Sequence, residues 1–137
     1  MPALTGIAFD CRDVPAQAAF WSGLLDQPVD EGASEYFAGI GVSHGAPTGS
    51  PGLLFLKVDG DREPAKNPVH LDLYDTDLEG AVDKALRLGA ERVADFDEYG
   101  VEWVTLRDPE GNLFDIGRPS RSGGGAGGGE LVDETPF

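Results

Sequence analysis

His70, Asp72 and Tyr74 stand two residues apart in the stretch VHLDLYDTD, so on an extended chain they share one face. Leu71 and Leu73 take the opposite face. An imidazole beside a carboxylate holds a divalent cation or relays a proton near neutral pH. A phenol in the same line offers a hydrogen bond or a ring to stack on. The same parity picks out further groups. Asp115 alternates with Phe114 and Ile116, and Trp103 and Thr105 alternate with Val104 and Leu106. Near the N-terminus, Ile7 and Phe9 pack and leave Gly6, Ala8 and Asp10 on the other face.

Each of these has a plainer reading. His70 is either a satisfied partner of Asp72 or Asp115, or a ligand and general base. Trp103 is either core or a stacking wall for a planar or cationic ligand. His44, in the loop SHGAPTGSPG, reads as solvated or as a rim contact. Cys11 has no His–Asp arrangement beside it in sequence and reads as a small buried side chain. The sequence holds no serine elbow, phosphate-binding glycine loop or cysteine pair.

The elements that position these groups occur twice. GIAFDCRDVPAQAAFWSGLL (6–25) lies over HLDLYDTDLEGAVDKALRLG (70–89) at an offset of 64. Each copy is an alternating strand, an aspartate and a helix. Asp13 and Asp77 fit as N-caps, and Thr76 with Glu79 permits a capping box one residue earlier. Pro15 suits a first helical turn, and Gly89 suits a C-terminal stop. Leu78, Val82, Ala85 and Leu86 form the apolar stripe of the second helix. The first helix, with Phe20, Trp21, Leu24 and Leu25, is more apolar and is either deeply buried or a contact with another subunit.

Strand-like segments follow each helix: Gln27–Glu31, Glu35–Gly41 and Gly52–Val58, then Glu91–Phe96, Val101–Arg107 and Leu113–Gly117. DPEGN (108–112) is a tight turn between the last two. The expected fold is α+β: two βαβββ modules, about 4–60 and 66–117, forming one curved, mixed, eight-stranded sheet around a cavity, helices outside. Residues 1–117 make the domain. Residues 118–137 read as a flexible, glycine-rich, acidic tail, or as a short peptide that docks on this chain or a neighbour.

A chain of 137 residues, 40% of them hydrophobic, is long enough for one soluble domain with a core. No apolar run approaches the ~20 residues needed to span a bilayer. The N-terminus lacks a signal-peptide pattern, and the single cysteine fits a cytoplasmic setting. The net charge of −15 repels phosphate backbones, which argues against nucleic acid, and attracts cations.

The segments GIAFDCRDVPAQAAFWSGLL, KNPVHLDLYDTDLEGAV and WVTLRDPEGNLFDI, with the repeat, resemble the vicinal oxygen chelate superfamily over about residues 4–117. That superfamily includes glyoxalase I, extradiol dioxygenases, and fosfomycin and bleomycin resistance proteins. The small glyoxalase-like proteins are the most similar in pattern. The resemblance implies a divalent cation held by four side chains, usually His and Glu, from the first and last strands of each module. One ligand is expected seven residues before the capping aspartate, which is His70 in the second module and Gly6 in the first. Another is expected three residues after the Asn of DPEGN, which is Asp115; its counterpart falls at Leu54 or Leu56. Two of the four positions are therefore competent, and Asp72 or Asp10 is the available third oxygen. A divalent metal is thus implied, but not a tightly held one.

Two functions follow from the resemblance. One is a lyase- or isomerase-type enzyme for a small oxygenated molecule, with His70 and Asp115 catalytic. The other is a metal-free sequestration protein of the bleomycin-resistance type, for a cationic or aromatic small molecule. Asp72, Tyr74, Trp103, Thr105 and Asp10 are the expected ligand contacts in either case. A homodimer is expected by the same analogy.

Overall fold

The computed structural model describes residues 4–42, 50–59 and 69–121. The chain divides into two compact units, Met1–Glu63 and Pro64–Phe137. Each is an α+β assembly built from one sheet and one helix.

In the first unit the elements are β1 (Gly6–Cys11), α1 (Val14–Leu25), β2 (Phe37–Ile40) and β3 (Gly52–Lys57). The strand order is β1-β3-β2, with β1 parallel and β2 antiparallel to β3. Helix α1 starts where Asp13 accepts a hydrogen bond from the Ala16 amide at 3.1 Å. It stops at Asp26, which takes a left-handed conformation with φ of 54°. It packs on β2 and β3. Trp21 lies 1% and Phe20 2% exposed, so both are spent on this unit's own core and give a partner subunit no face. Phe9 stacks between Trp21 and Phe55, and burying rings of this size stabilises by roughly 1.5–3 kcal/mol each.

The second unit runs β4 (Leu71–Tyr74), α2 (Leu78–Arg87), β5 (Glu91–Glu98), β6 (Val101–Arg107) and β7 (Leu113–Pro119). The order is β4-β7-β6-β5, with β4 parallel to β7 and the other pairs antiparallel. Asp77 caps α2 by accepting from the Gly80 amide at 3.1 Å. Leu78, Val82 and Ala85 are the buried stripe of α2, which packs on β7. Gly89 ends the turn after α2 with φ of 114°, a backbone that side-chain-bearing residues rarely adopt.

The strand count differs from expectation. Among the described residues there are seven strands, in sheets of three and four, where eight in one sheet are expected. The missing strand is Gln27–Glu31, which holds no ladder. Pro28 has no amide to donate. Asp30 makes one backbone bond, to the Gly39 carbonyl at 2.8 Å. Its carboxylate then accepts from the Gly41 and Val42 amides, which ties the segment down by side chain rather than by strand pairing. At the other end β7 runs through Pro119, two residues past the expected strand end at Gly117. Glycine-rich residues 122–137, and His44 with its loop, lie outside the described residues.

Candidate functional site

The turn after β6 sets the geometry of the site. Asp108 is only 4% exposed, and its carboxylate accepts from the amides of Glu110 and Asn112 and from the Asn112 side-chain amide. Gly111, at φ of 86°, completes the reversal. The turn fixes the register in which Arg107 faces Leu113, Thr105 faces Asp115 and Trp103 faces Gly117. On the other side of β7, Asp72 faces Asp115 and Tyr74 faces Gly117. On the far side of β6, Trp103 faces Phe96 and Thr105 faces Ala94.

Two rows therefore cross one face of the second sheet. The first reads Asp72, Asp115, Thr105, Ala94; the second reads Tyr74, Gly117, Trp103, Phe96. The opposite face carries Leu106, Phe114 and Ile116, all at most 2% exposed, toward the helix. The β4 and β7 ends of the rows line an open groove of about 500 Å³. Asp72, Tyr74, Trp103, Asp115 and Gly117 are in its wall, and Tyr99 joins them there.

His70, just before β4, brings its Nδ1 to 3.2 Å from an Asp72 oxygen. One ligand atom each of His70, Asp72 and Asp115 lies within 4.8 Å of the others. Thr105 donates its hydroxyl to Asp115 at 2.6 Å. The Asp115 carboxyl is pushed up to about 6, chiefly by burial. The Thr105 bond opposes the rise, the neighbouring Asp72 charge adds to it, and His70 again opposes it. Asp72 itself is well exposed, so the cluster runs from solvent into a half-buried acid.

The structure thus brings together His70, Asp72, Asp115 and Thr105, with Tyr74 and Trp103 in the adjoining row. Asp10 stands on β1 of the first unit, opposite Leu56, and is no part of this sheet. Within the first unit, register identifies Leu54 rather than Leu56 as the counterpart of Asp115, since Leu54 faces Ala8 as Asp115 faces Asp72. A Cβ placed on Gly6 would meet the Leu54 Cδ1 at 2.8 Å, so the empty ligand position there is filled by leucine.

Three groups escape sequence reasoning. Gly117 is the low point of the aromatic row; its parity with Asp115 is a signal that was available. Tyr99 turns the β5–β6 hairpin with Gly100, at φ of 56°, an uncommon conformation for a residue with a side chain. Arg118 is 7% exposed and donates to Glu102 at 3.0 Å and to the Thr76 carbonyl at 3.0 Å. It anchors the end of β7 to β6 and to the start of α2, and it holds the Glu102 carboxyl below the usual range. Its place beside a glycine-rich stretch hides it from composition.

Residues 6–117 match the family model for the Glyoxalase-like domain. No curated protein matches the sequence. Among solved structures, a glyoxalase/bleomycin resistance protein/dioxygenase family enzyme from Burkholderia phytofirmans aligns with a TM-score of 0.67 at 20% identity, over 87% of this chain and 100% of that one. The fosfomycin resistance protein FosX from Mesorhizobium loti gives a TM-score of 0.64 at 12% identity, over 89% of this chain and 96% of that one. A glyoxalase/bleomycin resistance protein/dioxygenase from Nocardioides gives 0.64 at 14% identity, over 96% and 91%. At these identities the likeness is one of fold. The family match spans most of the chain, and the chain belongs to the glyoxalase-like domain family, within the vicinal oxygen chelate superfamily.

Proposed function

We propose that the groove of the second unit binds a small oxygenated molecule and carries a lyase- or isomerase-type reaction on it, with His70 and Asp115 as the working groups and Asp72 assisting. The observation that carries this reading is the convergence of an imidazole and two carboxylates within 4.8 Å, with both carboxylates in the groove wall. A half-buried acid held near 6 takes and returns a proton at neutral pH with little driving-force penalty. Thr105 holds one Asp115 oxygen in place, and Asp72 stands against the same carboxyl. Asp72 sets a carboxylate beside the His70 imidazole.

The family also implies a divalent cation. Its four-residue set does not fit this chain, because Gly6 and Leu54 close on each other. The second unit alone still offers three donors, one nitrogen and two oxygens, which is the usual minimum for a retained catalytic ion with open positions. His70, Asp72 and Asp115 would hold it, and when bound it would polarise a substrate oxygen as a Lewis acid. A second reading, metal-free sequestration of a cationic or aromatic molecule, is favoured by the aromatic row beside the acids and by the lost ligand positions.

The test combines two measurements. The first is metal analysis after purification without chelators. The second is hydrogen–deuterium exchange, by NMR, at the carbon next to the carbonyl in a panel of 2-oxoaldehydes and hydroxyketones. Exchange that is lost in His70→Ala and Asp115→Asn and kept in Asp10→Asn supports the enzyme. No exchange across the panel, with or without added Mn²⁺ or Zn²⁺, sinks it and leaves sequestration. A cytoplasmic homodimer is the accompanying expectation; sedimentation of the full chain reads the assembly state.

A further inference from the structure

From the aromatic row we infer that the gap over Gly117 is a slot for one planar ring, which continues a stack Phe96–Trp103–ligand–Tyr74 and points a cationic or hydrogen-donating substituent at Asp115 and Asp72. This deepens the small-molecule reading of the groove and rests on it. Phe96 and Trp103 are already stacked, with centroids 4.9 Å apart and planes 18° apart. Phe96 is on the β5 side of Trp103, so that face of the indole is taken. The other face looks toward β7, where the residue opposite is Gly117. On the far side of Gly117, in the same row, stands Tyr74, 68% exposed and in the groove wall.

The dimensions suit a ring. Neighbouring strands lie about 4.8 Å apart, so Trp103 and Tyr74, separated by one strand, stand on the order of 10 Å apart. A flat ring between two others needs about 7 Å, two contacts of about 3.5 Å. Glycine is what keeps the space open. A Cβ at residue 117 would lie 3.2 Å from the Trp103 Cβ and 3.1 Å from the Glu102 carbonyl, so any side chain there would occupy the slot. Two residues along the strand, about 7 Å away, lies the acidic row. Asp72, Glu98 and Asp115 line the groove, while Arg118 is committed to Glu102. Charge therefore selects a cation or a donor over an anion. Trp103 Nε1 is buried and has no hydrogen-bond partner among the described residues.

The experiment is an NMR titration of the full chain with three probes: benzamidine (planar cation), cyclohexylamine (non-planar cation) and benzoate (planar anion). Benzamidine is expected to bind at least 10-fold more tightly than either of the others, with its ring protons shifted upfield and the Trp103 indole N–H perturbed. Tyr74→Ala, an exposed position that spares the core, is expected to weaken benzamidine at least 5-fold, and Gly117→Ala at least 10-fold. Equal binding of benzamidine and cyclohexylamine, an unmoved Tyr74→Ala, or no benzamidine binding at millimolar concentration overturns the slot. Mn²⁺ broadening at His70 and Asp115 without ring binding would sink the slot and spare the groove's acidic site. Ring binding without metal or exchange chemistry would spare the slot and sink the enzyme.

Discussion

The two units place their rows in the same register and put opposite chemistry there. In the second, Asp72, Asp115 and Thr105 face one another across three strands; in the first, the same places hold Ala8, Leu54 and Gly39. The next row is Tyr74, Gly117, Trp103 in one unit and Asp10, Leu56, Phe37 in the other. Where the second unit keeps a hole beside its tryptophan, the first fills the equivalent place with Leu56. Where the second gathers donors, the first seals Gly6 with Leu54 and leaves no room at Gly39, where a Cβ would meet Val42 at 2.7 Å. Duplication supplied two related frames, and among the described residues the cluster of imidazole and carboxylates lies in the second. A half-buried carboxylate such as Asp115 is costly to keep, which makes its presence there informative.

The largest test of that contrast is Asp115→Asn, which should lower any proton-transfer activity of the groove by about 10²–10⁴-fold, the usual contribution of a positioned acid or base. The measurement is the exchange assay with the best substrate from the panel. Transplanting the acid, Leu54→Asp, should destabilise the chain by roughly 2–4 kcal/mol, because the new carboxylate would sit against Gly6 with no threonine opposite. Urea denaturation reads the loss; a change under about 0.5 kcal/mol would mean that the first unit tolerates the same chemistry and the contrast is accidental.

Asp115→Asn also sharpens the contrast through stability. The folded chain holds the Asp115 proton up to about 6, above the ordinary 3.8 of the free group. Between those values the folded state binds a proton that the unfolded chain has released, so stability falls as pH rises through the window. The penalty is complete above it; 1.36 kcal/mol per unit sets a ceiling of about 3 kcal/mol, which solvent screening at this half-buried carboxyl reduces. The asparagine variant should therefore be more stable than the parent at pH 8 and equal to it below pH 3.8, as read by denaturant midpoints across that range. Equal midpoints at pH 8 would show that Asp115 carries no burial cost. The smallest effect is a control in which the units should agree. Asp13→Ala and Asp77→Ala each remove an N-cap and should each cost about 1 kcal/mol.

Local signals made much of the frame legible. Asp13 and Asp77 mark helix starts because a carboxylate at that place satisfies a free amide, and DPEGN marks a reversal because Asp108 and Gly111 each have a defined backbone task. Parity along single strands placed Asp72, Tyr74, Trp103, Thr105 and Asp115 on a common face. Parity says nothing about which residue of the next strand lies opposite, so the rows, and the choice of Leu54 over Leu56, required the register. Gln27–Glu31 misled because Val29 suggests a strand while Asp30 binds amides with its side chain. Arg118 was invisible because its partners, Glu102 and Thr76, are distant in sequence. Tyr99 was invisible because a tyrosine gives no hint of a left-handed turn.

The Asp108–Asn112 turn acts as a gauge for everything beside it. Deleting a single residue there would slide β7 by one step and swap its faces: Phe114 would come up where the acid belongs, and Asp115 would go under toward α2. A length change in the β5–β6 hairpin, by contrast, shifts β5 and leaves the pairing of Thr105 with Asp115 alone. The chemistry of the acidic row thus hangs on the length of one turn.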